Sequence, residues 1–165
     1  MSLLSSISRR NRRENGDYIF VIQTPSDNYV YNFALTVGES YNFNADYGDL
    51  TSTETITTDV LTHTYAIAGT YTVKFTPLAV SGIHSINYGA ISTSASYLIG
   101  VEDHGTNKGL TALEYYKDCI NLTYVNGSID LSLTTILSGM FYSCSSFNSD
   151  ISDWDVSSVT SMNGM

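Results

Sequence analysis

Three groups of side chains in this sequence could do chemistry. Cys119 and Cys144 stand 25 residues apart, Asp150, Asp153 and Asp155 bracket Trp154, and Asp46 and Asp49 flank Gly48. Paired thiols can join in a disulfide or act as small apolar residues. Carboxylates around an indole look like a carbohydrate site, but the same residues also cap the bends of a repeated coil. Asp46 and Asp49 could give two of the roughly six to eight oxygens that Ca²⁺ takes, or accept bonds from the amides of a tight turn. His63, His84 and His104 lie about 20 residues apart, with no metal-ligand spacing. No phosphate loop, His-Glu-x-x-His or Gly-x-Ser-x-Gly occurs, and neither cysteine has a histidine close by in sequence. The expectation is therefore no catalytic set, no cofactor and no metal. The aspartates read as turn caps, His63 as a hydrogen-bonded structural side chain, and the cysteines as a ladder of buried thiols, with a disulfide as the alternative.

Charge divides the chain. The net charge is −9, yet Arg9, Arg10, Arg12 and Arg13 fall within five positions. The rest is acidic, which argues against nucleic-acid binding. The basic arm fits an acidic surface, a phosphate-rich polymer or a partner subunit, or else is a solvated terminus. The apolar runs are far too short to span a bilayer. The first residues lack the order of a secretory signal, in which positive charge precedes an apolar core. Without such a signal, the Asn121 and Asn126 glycosylation sequons read as chance matches. The 13 tyrosines, the 2 prolines and the scarcity of lysine favour strands.

Strands must position these residues in the N-terminal part. Asp17–Gln23 is a dense β run. Tyr29, Tyr31, Phe33 and Leu35 alternate with other residues at a period of two, as do Tyr41, Phe43 and Ala45, and then Thr70–Phe75. Gly48 offers the positive φ of a tight turn, and Gly69 is expected to turn the chain between Tyr65 and Tyr71. The stretch Tyr41-Asn-Phe-Asn-Ala-Asp-Tyr-Gly-Asp49, followed by Thr62-His-Thr-Tyr-Ala-Ile-Ala-Gly-Thr-Tyr-Thr-Val-Lys-Phe75, resembles the polycystic-kidney-disease (PKD) domain. Leu50 stands where that family has the last glycine of its first motif, a departure that bears on the turn after Asp49. The resemblance implies an immunoglobulin-like β-sandwich used for spacing or adhesion.

The C-terminal part repeats every 25 residues. Tyr116 maps onto Phe141, Cys119 onto Cys144, Leu122 onto Phe147, Leu131 onto Val156, Leu137 onto Met162 and Gly139 onto Gly164. Such a period marks coils that bury their apolar faces against one another. Two coils without a cap are expected to need further repeats or a partner. Residues 139–165 closely resemble the BspA-type leucine-rich repeat, with its Met-Phe-x-x-Cys-x-x-Phe-Asn segment and then Ile-Ser-x-Trp-Asp-Val-Ser-x-Val-Thr-x-Met-x-x-Met. That resemblance implies a solenoid with Trp154, Val156, Val159 and Met162 in the core and Phe141, Cys144 and Phe147 on the other wall.

The expected architecture is mainly β. A basic arm (1–16) leads into a PKD-like sandwich (17–82), a connector (83–110) that finishes the sandwich and starts the coils, and truncated leucine-rich repeats (111–165). The BspA-type family includes bacterial and protist surface proteins and phage head or tail proteins. The resemblances therefore imply a non-catalytic virion protein of a bacteriophage, assembled in the host cytoplasm. Its partners would be a capsid or tail protein, copies of itself, or a host-surface receptor. The alternative is a bacterial cell-surface adhesin or lipoprotein fragment that binds a host protein or glycan.

Overall fold

The computed structural model describes residues 16–33, 35–38, 40–78, 92–105, 115–127 and 129–165. Arg9, Arg10, Arg12, Arg13 and His84 lie outside the described residues. The chain is mainly β. Eight strands form: β1 (Tyr18–Thr24), β2 (Tyr29–Phe33), β3 (Phe43–Asp46), β4 (Glu54–Ile56), β5 (Leu61–Tyr65), β6 (Gly69–Pro77), β7 (Leu98–His104) and β8 (Tyr124–Val125). One helical turn, α1 (Ser92–Ala95), precedes β7.

A six-stranded sheet runs β4-β3-β6-β1-β7-β8, and a two-stranded sheet pairs β2 with β5. Every ladder is antiparallel except β7–β8. Alternation sets the faces in β2, β3 and β6, where Tyr31, Phe33, Phe43, Ala45, Val73 and Phe75 are buried between more exposed neighbours. The two sheets face each other across aromatic rings. Phe33 of β2 lies 6.1 Å from Phe20 and 5.5 Å from Phe75, edge-on to both, a favourable aromatic geometry. Each such ring withdrawn from water contributes roughly 1.5–3 kcal/mol. The β1 run is apolar on both faces because it lies between β6 and β7, and Tyr18, Ile19 and Phe20 are all buried.

Residues 115–139 and 140–165 form two successive coils joined by the same bonds. Cys119 N donates to Tyr116 O and Cys144 N to Phe141 O, both at 3.0 Å. Leu122 N donates to Cys119 O and Phe147 N to Cys144 O, again at 3.0 Å. Asp118 and Ser143 share a left-handed backbone with φ of 63°, and Gly139 and Gly164 share another at 71° and 65°. Between coils, Tyr116 N donates to Met140 O (2.9 Å), Leu137 N to Ser161 O (2.8 Å) and Thr160 N to Thr135 O (2.7 Å). Ile136 and Ser161, 25 residues apart, form a parallel bridge.

The segment 98–104, read from sequence as connector, is a strand inside the six-stranded sheet. β7 pairs with β1 on one side and with β8, in the first coil, on the other. Thr123 N donates to Ile99 O at 3.0 Å and Asn126 N to Val101 O at 2.7 Å, so β7 stands one coil repeat below residues 123–126. Gly100 makes this fit possible, because a Cβ there would fall inside the Tyr124 ring.

Candidate interaction surface

The clustered chemistry of the sequence resolves into structural bonding. Gly48 has a φ of 76°, and a Cβ there would collide with the Thr72 carbonyl. Around it, Asp46 Oδ1 accepts from Gly48 N (3.0 Å), and Asp49 Oδ1 accepts from Thr51 N (3.2 Å) and Thr51 Oγ1 (2.6 Å). Asp49 Oδ2 lies 2.7 Å from His63 Nε2, and the imidazole stacks on Tyr47 at 3.8 Å. Burial works to raise the Asp49 carboxyl, but the bonds from His63 and Thr51 outweigh it and hold it below the usual range. Among the described residues no three His, Cys, Asp or Glu side chains gather as a metal-binding group.

Leu50 takes the left-handed conformation itself, with a φ of 67°, so the turn forms without the family's glycine. Its side chain stands fully in solvent. Gly69 requires a correction. It is not the turning residue but the first residue of β6, paired with Thr24. The bend falls on residues 66–68, where Ala68 N donates to Asp27 Oδ1 (2.8 Å) and the Tyr71 hydroxyl donates to the Ile67 carbonyl (2.5 Å).

In the coils the thiols are free. Cys119 is buried, and Cys144 is partly buried with its Sγ 2.9 Å from Tyr116 O. Burial pushes the Cys144 thiol up to about 11 despite a backbone bond from Cys119, and raises Cys119 further. Tyr116 and Phe141 stack at 5.5 Å, and Phe141 and Phe147 at 4.2 Å. Phe141 and Phe147 are partly buried against the core.

Trp154 is buried, so its ring offers no platform to a sugar. Asp130, Asp150 and Asp155 accept from the amides of Ser132 (3.1 Å), Ser152 (3.0 Å) and Ser157 (3.0 Å). Bonds from the Ser152 amide and hydroxyl hold the Asp150 carboxyl below its usual range, and the Ser157 hydroxyl and amide do the same for Asp155. Val156 and Met162, expected in the core, are exposed, and Val159 is partly buried. The residues at the positions of Val156 and Met162 in the first coil, Leu131 and Leu137, are buried under the second coil, whereas nothing among the described residues covers these two.

What the coils present outward is therefore a surface of hydroxyls, aspartates and scattered large apolar side chains. Ile120, Leu133, Ile136 and Tyr142 are exposed on it. Lys117 Nζ sits 5.9 Å from the Tyr142 ring centre. A second set of residues, Glu102, Tyr124 and Asn126, was not visible in the sequence. The Tyr124 hydroxyl donates to Glu102 Oε1 (2.7 Å) and Asn126 Nδ2 to Glu102 Oε2 (3.3 Å), which ties β7 to the first coil. Only the offset of about one repeat between Glu102 and these partners could have flagged it.

Residues 112–165 match a family described as "Mycoplasma protein of unknown function, DUF285". The match covers the coils and leaves the two-layered part outside it. No curated protein and no solved structure matches the chain. No described helix is long and apolar enough to cross a membrane.

Proposed function

We propose that this chain is a non-catalytic structural and adhesive component of a bacteriophage particle, of the head-decoration, head-fibre or tail-fibre type. It is anchored through its N-terminal part and presents the surface of its coils. In this reading the two facing sheets are a PKD-like, immunoglobulin-like sandwich, and the 25-residue ladder is a leucine-rich-repeat solenoid.

The observation that carries the reading is where the reactive groups go. Aspartates cap turns, thiols and Trp154 pack inward, and the groups left outward, such as Leu133 and Tyr142, suit contact with a macromolecule. The partners would be a capsid or tail protein, further copies of the chain, or a host-surface receptor, without nucleic acid or membrane insertion. The cluster Arg9, Arg10, Arg12 and Arg13 would supply an electrostatic anchor. Exposed charge contacts are screened beyond roughly 10 Å at 0.1 M salt, so attachment should weaken as salt rises and with Arg→Ala changes.

A second reading is a bacterial cell-surface adhesin or lipoprotein fragment that binds a host protein or glycan. The match to a family named for Mycoplasma proteins favours it. An antibody to the purified chain, followed by electron microscopy on phage particles and on the bacterial envelope of its source, separates the two. Label on heads or tails supports the first reading. Label confined to the envelope replaces it with the second.

A further inference from the structure

We propose that His104 is an acid-sensitive latch that holds the coils on the six-stranded sheet and lets them go when it takes up a proton. His104 ends β7 and pairs with Tyr18 of β1. It is 2% exposed. Its Nε2 lies 2.6 Å from the hydroxyl of Tyr116, the side chain that opens the first coil. The rings of Tyr18 and Tyr116 stand edge-on to it at 6.1 and 6.3 Å. The imidazole therefore touches both bodies at their seam, the sheet through Tyr18 and the coils through Tyr116.

The seam suits a neutral imidazole. Nδ1 has no hydrogen-bond partner among the described residues. The tyrosines facing the ring are Tyr18 from β1 and Tyr116, backed by Tyr115, from the coil. The charged residues of the packed elements are Asp17 beside β1, Glu102 and Asp103 on β7, and Lys117 and Asp118 beyond Tyr116. Asp103 caps Gly105 N at 3.0 Å and Glu102 holds Tyr124 and Asn126. Burial is the sole cause acting on His104, and it pushes the imidazole down from 6.5 to about 4. A proton taken up in place would leave a buried charge and a second buried N–H without a partner. Parting of the coils from the sheet exposes the ring to water and relieves both.

The direction follows from linkage. The undocked state holds the proton more tightly, so docking is at full strength above about pH 6.5 and weakens as pH falls toward about 4. The docked-to-undocked ratio should fall about tenfold per pH unit, or roughly 300-fold across that window.

The test is amide hydrogen exchange on the full chain between pH 7.5 and 4, corrected for intrinsic rates, with an NMR titration of the imidazole. Amides of Leu122 and Leu137 should lose protection as pH falls while those of Val73 and Phe75 in β6 keep theirs. The His104 ring should titrate well below 6.5. His104→Gln should flatten the coil response, and His63→Gln should leave it unchanged. Loss of coil and sheet protection at one common pH overturns the proposal, as does a His104 that titrates at 6.5 with the coils still protected, or a His104→Gln profile identical to wild type. If His104→Gln does not fold, the wild-type titration and exchange decide alone.

Discussion

Leu131 and Val156 occupy one position in two successive coils, yet Leu131 is 2% exposed and Val156 39%; Leu137 and Met162 are 3% and 41% exposed. The turn hydrogen bonds of the two coils match residue for residue. Backbone geometry in this part of the molecule is therefore local and repeats with the sequence, whereas burial depends on what lies above and below. The first coil lies between β7 and the second coil, so both of its faces are covered. The second has a coil on one side only among the described residues. One sequence pattern thus gives two different energies.

Truncation should expose that difference most strongly. Leu137→Ala removes a buried side chain between layers and should cost about 2–5 kcal/mol, while Met162→Ala should cost less than about 1 kcal/mol. Denaturant unfolding of the two variants against wild type measures both. Equal losses would mean that the second coil is covered in solution as well as the first. Gly100→Ala attacks the other side of the first coil. Its Cβ must push the Tyr124 ring off β7 and break the bond to Glu102. The ring can swing away, so a loss of about 1–3 kcal/mol is expected, with amides of 123–126 losing exchange protection first.

The period of 25 was legible because identical bonds in successive coils call for similar residues at Tyr116 and Phe141, at Cys119 and Cys144, and at Gly139 and Gly164. The strands β2, β3 and β6 were legible because one face of each is buried and period-two alternation records it. β7 was not. It serves two partners at once, so Gly100 answers to Tyr124, Glu102 to Tyr124 and Asn126, and His104 to Tyr116, and no short-range period runs through it. The exposure of Val156 and Met162 was equally hidden, since residue type records a position in the coil and not whether a neighbour covers it. The aspartates around Gly48 and in the coils were legible as turn caps. Gly69 was not, because a glycine serves a strand start as well as a turn.

Thiol reactivity offers a kinetic version of the same comparison. Burial raises both cysteines, Cys144 to about 11 and Cys119 further, with Cys144 and Asp118 adding to the effect on Cys119. The thiolate is the reactive form. At pH 8, a thiol reagent should label Cys144 roughly 100-fold more slowly than a free cysteine of ordinary pKa. Cys119 should label only on unfolding. Following both sites by mass spectrometry after timed quenching checks the order. Equal rates at the two cysteines would show that the coils part as readily on the sheet side as on the outer side, contrary to the burial seen.

The smallest effect is the one that should not differ between coils. Asp118 and Ser143 hold the same left-handed backbone at φ 63°, and Leu50 holds a similar one at 67° in the turn after Asp49. A non-glycine residue there carries roughly 1–2 kcal/mol of steric cost that glycine avoids, against which glycine loses more freedom on folding. Leu50 has no packing to lose, so Leu50→Gly should stabilise the protein by about 0.5–1 kcal/mol. Asp118→Gly and Ser143→Gly should shift stability by less than about 1 kcal/mol and by nearly equal amounts, because the strain belongs to the backbone and not to the layers around it. Thermal unfolding of the pair resolves this. A difference between Asp118→Gly and Ser143→Gly as large as that between Leu137→Ala and Met162→Ala would mean that the left-handed turns, too, answer to the neighbouring layer, and that the coils are not locally autonomous even in their backbone.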